Sequence, residues 1–255
     1  MILMRILPGV LKELAKHVPT VLFQTVEWNE LAHELPKISR RIIQKEGYSE
    51  LLAKQKEMLA PLGIFVSEEA VNGTLNMNKE AGIKWLTLYF AQIFSEDGFF
   101  LDIRSHHFKS DGDNLIWHPS PLWTRFDETF RQGVLKVYEG FYTDNNDLYF
   151  EGLKMIGLIQ PDWSSEDKNK LAELFRSQFG SALTEEMNFD LDHFKTSIIK
   201  LSDFMLKKKV KIPKDFLYLG IYLVTLYSSL EETHSKLPVR DIYLKVRDLK
   251  ASSPQ

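Results

Sequence analysis

Apolar residues recur at helical rather than strand spacing over most of this chain. Trp85, Leu86, Tyr89, Phe90, Ile93 and Phe94 fall at i, i+1, i+4, i+5, i+8 and i+9, a broad stripe that predicts a helix with one face in a core. Phe126, Phe130, Val134, Val137, Tyr138 and Phe141 repeat the pattern. Leu171, Leu174, Phe175 and Phe179 define a third helix, opened by the capping-box residues Ser164-Ser165-Glu166-Asp167 and stopped at Gly180. Leu191, Phe194, Ile198, Leu201 and Met205 define a fourth, closed by Lys207-Lys208-Lys209 at its negative dipole end. Phe216 to Leu230 is apolar almost throughout, yet shorter than the roughly 20 residues needed to cross a bilayer. Pro213 and Asp215 before it and Glu231-Glu232 after it mark the limits of a buried globular helix.

Strand signals are few. Only Gly63–Val66 and Asn114–Trp117 read as extended, and Asp111-Gly112-Asp113-Asn114 reads as a hairpin-type turn. Asp144-Asn145-Asn146-Asp147 reads as a cluster of N-cap residues. Prolines 8, 19, 36 and 61 divide residues 1–80 into short helical pieces, expected to pack on a denser helical array spanning 81–250. The expected fold is mainly α, a helical array with at most a short β-hairpin near residues 114–123.

Composition narrows the chemistry. With 255 residues and 44% hydrophobic content the chain can fill a substantial core. A net charge of −3 supplies no field that would draw in nucleic acid, so no nucleic-acid partner is expected. The absence of cysteine excludes disulfides, thiolate zinc sites and cysteine nucleophiles, and fits a reducing compartment. The apolar N-terminus is interrupted by Arg5, Pro8, Lys12, Glu13 and Lys16 and does not read as a signal peptide, so a soluble cytoplasmic protein is expected. No glycine-rich nucleotide loop, nucleophile elbow or paired-histidine zinc motif occurs. His106-His107 and His118 form the one histidine cluster. Adjacent histidines diverge on regular structure, so they read as exposed loop residues, and neither metal nor cofactor is expected. Lys207, Lys208 and Lys209 read as a solvated helix end that could touch lipid headgroups peripherally.

One segment carries a resemblance. Gln92-Ile93-Phe94-Ser95-Glu96-Asp97-Gly98-Phe99-Phe100 is followed by Leu101-Asp102-Ile103-Arg104-Ser105-His106-His107-Phe108 and then by the turn and apolar run to Trp117. This order resembles the catalytic segment of the UbiB/AarF family of atypical kinase-like proteins. That family reads Q-I/V-F/L-x-D-G-F-F-H-x-D-P-H-P-G-N, a turn, and then I/L-D-F-G. Met155–Ile159 and Lys211–Leu219 resemble later helical motifs of the same family, so the likeness covers about two thirds of the chain.

The resemblance implies a kinase-like C-terminal lobe over 81–250 whose chemistry is gone. The family histidine falls on Leu101 and its acid on Ile103, or on Asp102 with a one-residue slip. The metal-binding asparagine has no counterpart in Ser105-His106-His107-Phe108, and His118-Pro119-Ser120-Pro121 stands where the metal-binding DFG aspartate belongs. No lysine strand or K-x-G-Q segment precedes the likeness. The implied function is a catalytically inactive, pseudokinase-type protein that binds a protein or a lipid- or isoprenoid-like partner, since active members are tied to quinone and lipid metabolism. Two other readings stand beside it: an enzyme with chemistry rebuilt around Asp102, Arg104, His106, His107 and His118, and a helical adaptor unrelated to kinases.

Overall fold

The computed structural model describes residues 19–26, 28–179 and 186–252. After a single helical turn at Leu22–Thr25, nine longer helices occur among the described residues. These are α1 (Trp28–Gln44), α2 (Tyr48–Leu59), α3 (Lys79–Phe94), α4 (Glu128–Tyr142), α5 (Asn146–Met155), α6 (Ser165–Arg176), α7 (Leu191–Lys207), α8 (Lys214–Glu231) and α9 (Val239–Ser252). The strands are β1 (Ile64–Val66), β2 (Phe99–Phe100), β3 (Phe108–Asp111), β4 (Asn114–Trp117) and β5 (Trp123–Thr124). The chain is therefore mainly helical with small sheets.

Helix α8 organises the core. It is apolar on all sides, and every residue from Asp215 to Tyr227 is buried, as an all-apolar helix requires in water. No helix among the described residues is long and apolar enough to cross a membrane. Helix α3 lies against α8 and α9, while α7 contacts α6 and α8. The periodic residues Trp85, Leu86, Tyr89, Phe90 and Ile93 are all buried. Each such side chain contributes roughly 1.5–3 kcal/mol on leaving water. Tyr89 stacks on Tyr222 of α8 at 4.8 Å and shares a hydrogen bond with the Tyr138 hydroxyl of α4. Burial pushes all three phenols above their ordinary pKa, so they stay neutral hydrogen-bonding groups.

The expected caps form. Asn145 accepts from the Leu148 N–H at the start of α5, and Ser164 accepts from the Asp167 N–H at the start of α6. The Gly180 stop lies outside the described residues.

Two expectations need correction. Pro36 sits inside α1 rather than between helices. Its side chain is exposed, and on such a face the carbonyl that proline frees can be hydrated, so the helix continues through it. The hairpin is also misplaced by the expectation of 114–123: it joins β3 to β4, pairing Phe108 with Trp117 and Asp111 with Asn114. Pro119 and Pro121 lack the N–H groups that would let the chain fold back directly after β4. Trp123-Thr124 instead pairs antiparallel with Phe99-Phe100, and β1 adds in parallel to the other edge of β4. The turn itself is as expected, with Gly112 supplying a positive φ of 56° at the first central position.

The described part of residues 1–80 shares this core. Val26, Ile38, Leu51, Leu52, Leu59 and Ile64 belong to the same hydrophobic cluster as α3 and α8. The Tyr48 hydroxyl donates to Pro119 O at 2.9 Å, and Trp123 Nε1 donates to Glu46 O at 3.1 Å.

Candidate functional site

The loop 101–107 leaves β2 at the end of the D-G-F-F segment. Its approach is fixed by Gly98, whose φ of 120° and 2.8 Å spacing between a built Cβ and Thr124 O admit no side chain. Gln92 Oε1 accepts the Phe100 N–H at 2.8 Å, and Gln55 Nε2 donates to Gly98 O at 3.3 Å. Beyond β2 the loop lies on α8. Thr225 Oγ1 donates to Leu101 O at 3.0 Å, and Ser229 Oγ donates to Ile103 O at 3.1 Å. Two hydroxyls one helical turn apart thus hold the backbone of an otherwise irregular segment. Their signal in the sequence is a polar pair spaced i, i+4 inside an apolar helix, which hydrophobic periodicity does not register.

Asp102 is the charge at the centre of this loop and is only 1% exposed. Arg104 grips it with two forked bonds, Nε to Oδ1 at 2.8 Å and Nη2 to Oδ2 at 2.7 Å. The Arg104 backbone N–H adds a 3.3 Å contact to Oδ1. A 3₁₀ turn at Ser105–His107 then folds the chain back, bringing His107 Nε2 to 3.1 Å from Asp102 Oδ2. The two atoms meet the distance of an ion pair without the alignment of a hydrogen bond, and His107 Nε2 has no other partner. His106 lies against His107 with ring centroids 4.1 Å apart.

Burial by itself would raise the Asp102 pKa. The bonds from Arg104 and the contact with His107 outweigh it and hold the carboxyl well below the usual carboxylate range. For His106, burial and then the neighbouring His107 lower the imidazole pKa below its ordinary value.

Four of the five residues singled out from sequence therefore meet: Asp102, Arg104, His106 and His107. His106 is exposed, as the sequence suggested, whereas His107 is half-buried against a buried carboxylate, which corrects its reading as an exposed loop residue. His118 does not join them through its side chain. Its backbone N–H donates to His107 O at 2.9 Å, but its Nδ1 faces Ser67 O at 3.0 Å. Lys207, Lys208 and Lys209 are exposed at the end of α7, with Lys208 paired to Asp167 at 2.6 Å.

Two surface clefts lie away from this cluster. One of about 480 Å³ runs between α2 and α9, with Met58, Leu62 and Val246 in its lining and Lys54, Asp97 and Lys250 beside them. The other, about 420 Å³, is polar and lies beside the hairpin turn, lined by Asn76, Lys84 and Asp113 among others. Neither a family model nor a curated protein matches the chain.

Proposed function

We propose that this chain is a kinase-like scaffold that has lost phosphoryl transfer and acts by binding a partner. Phosphoryl transfer needs a carboxylate positioned at the nucleophile as catalytic base and metal ions held by an aspartate and an asparagine. The resemblance puts the acidic position at Ile103, or at Asp102 with a one-residue slip, and the end of the asparagine motif at Phe108. Ile103 is fully buried and Phe108 is 4% exposed, and the Phe108 ring stacks on Trp117 at 5.7 Å and meets Trp85 edge-on at 5.2 Å. These two positions face the core as structural side chains, and that observation carries the reading.

The surrounding frame supports the likeness. Helix, two-residue strand, loop, hairpin, connector and returning strand follow in the order that places two loops side by side at the open end of a hairpin. The loops are bonded to each other by His118 N–H to His107 O and by Leu101 N–H to Leu122 O at 3.0 Å. In the connector, where the metal-binding aspartate would stand, Pro119 O is taken by Tyr48. Asp102, the acid nearest the catalytic position, is held by Arg104.

The partner favoured is lipid- or isoprenoid-like, because the cleft between α2 and α9 has an apolar lining of Met58, Leu62, Val246 and Leu249, while its lysine Lys54 is already paired to Asp97 at 2.6 Å. The test is a thermal-shift and calorimetric titration with MgATP. We expect no magnesium-dependent stabilisation and no heat of binding. A saturable shift with MgATP that EDTA abolishes would overturn the reading.

A further inference from the structure

We propose that Asp102, His106 and His107 form a binding site for one divalent transition-metal ion of the zinc class. Their ligand atoms all lie within 4.8 Å of one another. Two imidazoles and a carboxylate are the donors that zinc, cobalt and nickel accept, and three protein ligands leave a position for water.

The geometry around Asp102 points the same way. A carboxylate offers about four lone-pair directions. Arg104 Nε and the Arg104 backbone N–H occupy Oδ1, and Arg104 Nη2 occupies one direction on Oδ2. One direction on Oδ2 is left over, and His107 Nε2 stands 3.1 Å from that oxygen without hydrogen-bonding to it. Two ligand atoms each about 2.1 Å from a shared ion stand roughly 3.0–3.4 Å apart in octahedral or tetrahedral geometry. The 3.1 Å spacing therefore already suits two cis ligands. Arg104 fixes the carboxylate through both of its oxygens, as groups behind a metal ligand commonly do. His106 is exposed, so a side-chain rotation can bring its nitrogen in by the Å or so still needed.

This inference rests on the loop geometry alone and is independent of the kinase likeness. Metal-free full-length protein is titrated with Co²⁺ while its d–d absorption is recorded, and stoichiometry is measured by calorimetry. We expect a visible band saturating at one equivalent and displaced by Zn²⁺. His106→Ala and His107→Ala should each weaken binding at least about tenfold. His118→Ala should leave the band and the affinity unchanged, since its ring faces Ser67. The exposed His106 makes its alanine variant a test free of folding effects, checked by an unchanged circular dichroism spectrum. Absence of a band, a band indifferent to His106→Ala, or equal loss on His118→Ala would each overturn the proposal.

Discussion

Arg104 holds both oxygens of a carboxylate that is almost wholly out of water, and its own side chain remains 24% exposed. Such a pair is costly to break, because removing one partner leaves an uncompensated buried charge. Arg104→Gln should therefore lower stability by about 3 kcal/mol, read as a shift of the urea midpoint. A change within a few tenths of a kcal/mol would mean that the pair is cosmetic. Asp215 presents the opposite case. Burial raises its pKa, and the Asp127 N–H and the Lys214 amine beside it do not fully offset that. With the folded-state pKa above the unfolded one, the folded state binds the proton more tightly, so stability is lost as pH rises through the carboxylate range. Asp215→Asn keeps an oxygen for the Asp127 N–H without the buried charge. It should be more stable than the parent at pH 7, with the difference closing as pH falls below about 4. A pH-independent difference in Tm would contradict this. The pairing of His107 with Asp102 was hidden in the sequence because adjacent histidines diverge on regular structure and the two groups lie five residues apart. It arises instead from a 3₁₀ turn following an extended loop.

At the scale of elements, α3, α4, α6 and α7 were legible because each carries a 3.6-residue stripe, and α8 because its apolar run is bounded by Pro213 and Glu231. The strands were less so. They are two to four residues long, too short for alternation to declare itself, and β2 and β5 exist only through pairing across more than twenty residues. Helix-to-helix distance was illegible for a related reason: it depends on where small residues from two helices meet. At Gly152 of α5, a built Cβ would stand 2.6 Å from both Gly133 O and Val137 N of α4. These are backbone atoms, so the helices would have to separate. Gly152→Ala should cost about 1–3 kcal/mol despite alanine's better helix propensity, measured by chemical denaturation. A stabilised variant would show that α4 and α5 do not pack as closely as described.

For the whole molecule, the question is whether the segment before α3 is an appendage or part of the folding unit. Proline punctuation divides it into helical pieces expected to pack on the later array, and β1 completes a sheet whose other two strands lie more than forty residues later. Tyr48 and Gln55 of α2 also bond the two segments that flank the loop 101–107. Detaching this segment would strip one edge of β4 and release the contacts that hold the candidate site, so its opening should coincide with that of the core. Native-state hydrogen exchange can distinguish the cases. Amides of β1 bonded to β4 should exchange through the same opening, with the same denaturant dependence, as amides of β4 bonded to β3. If β1 instead exchanged through a smaller opening, orders of magnitude faster and insensitive to denaturant, the early segment would be a cap on a separately stable lobe. The site on loop 101–107 would then owe its rigidity to α8, through Thr225 and Ser229, and to the backbone bonds that Leu122 and His118 make to its two ends.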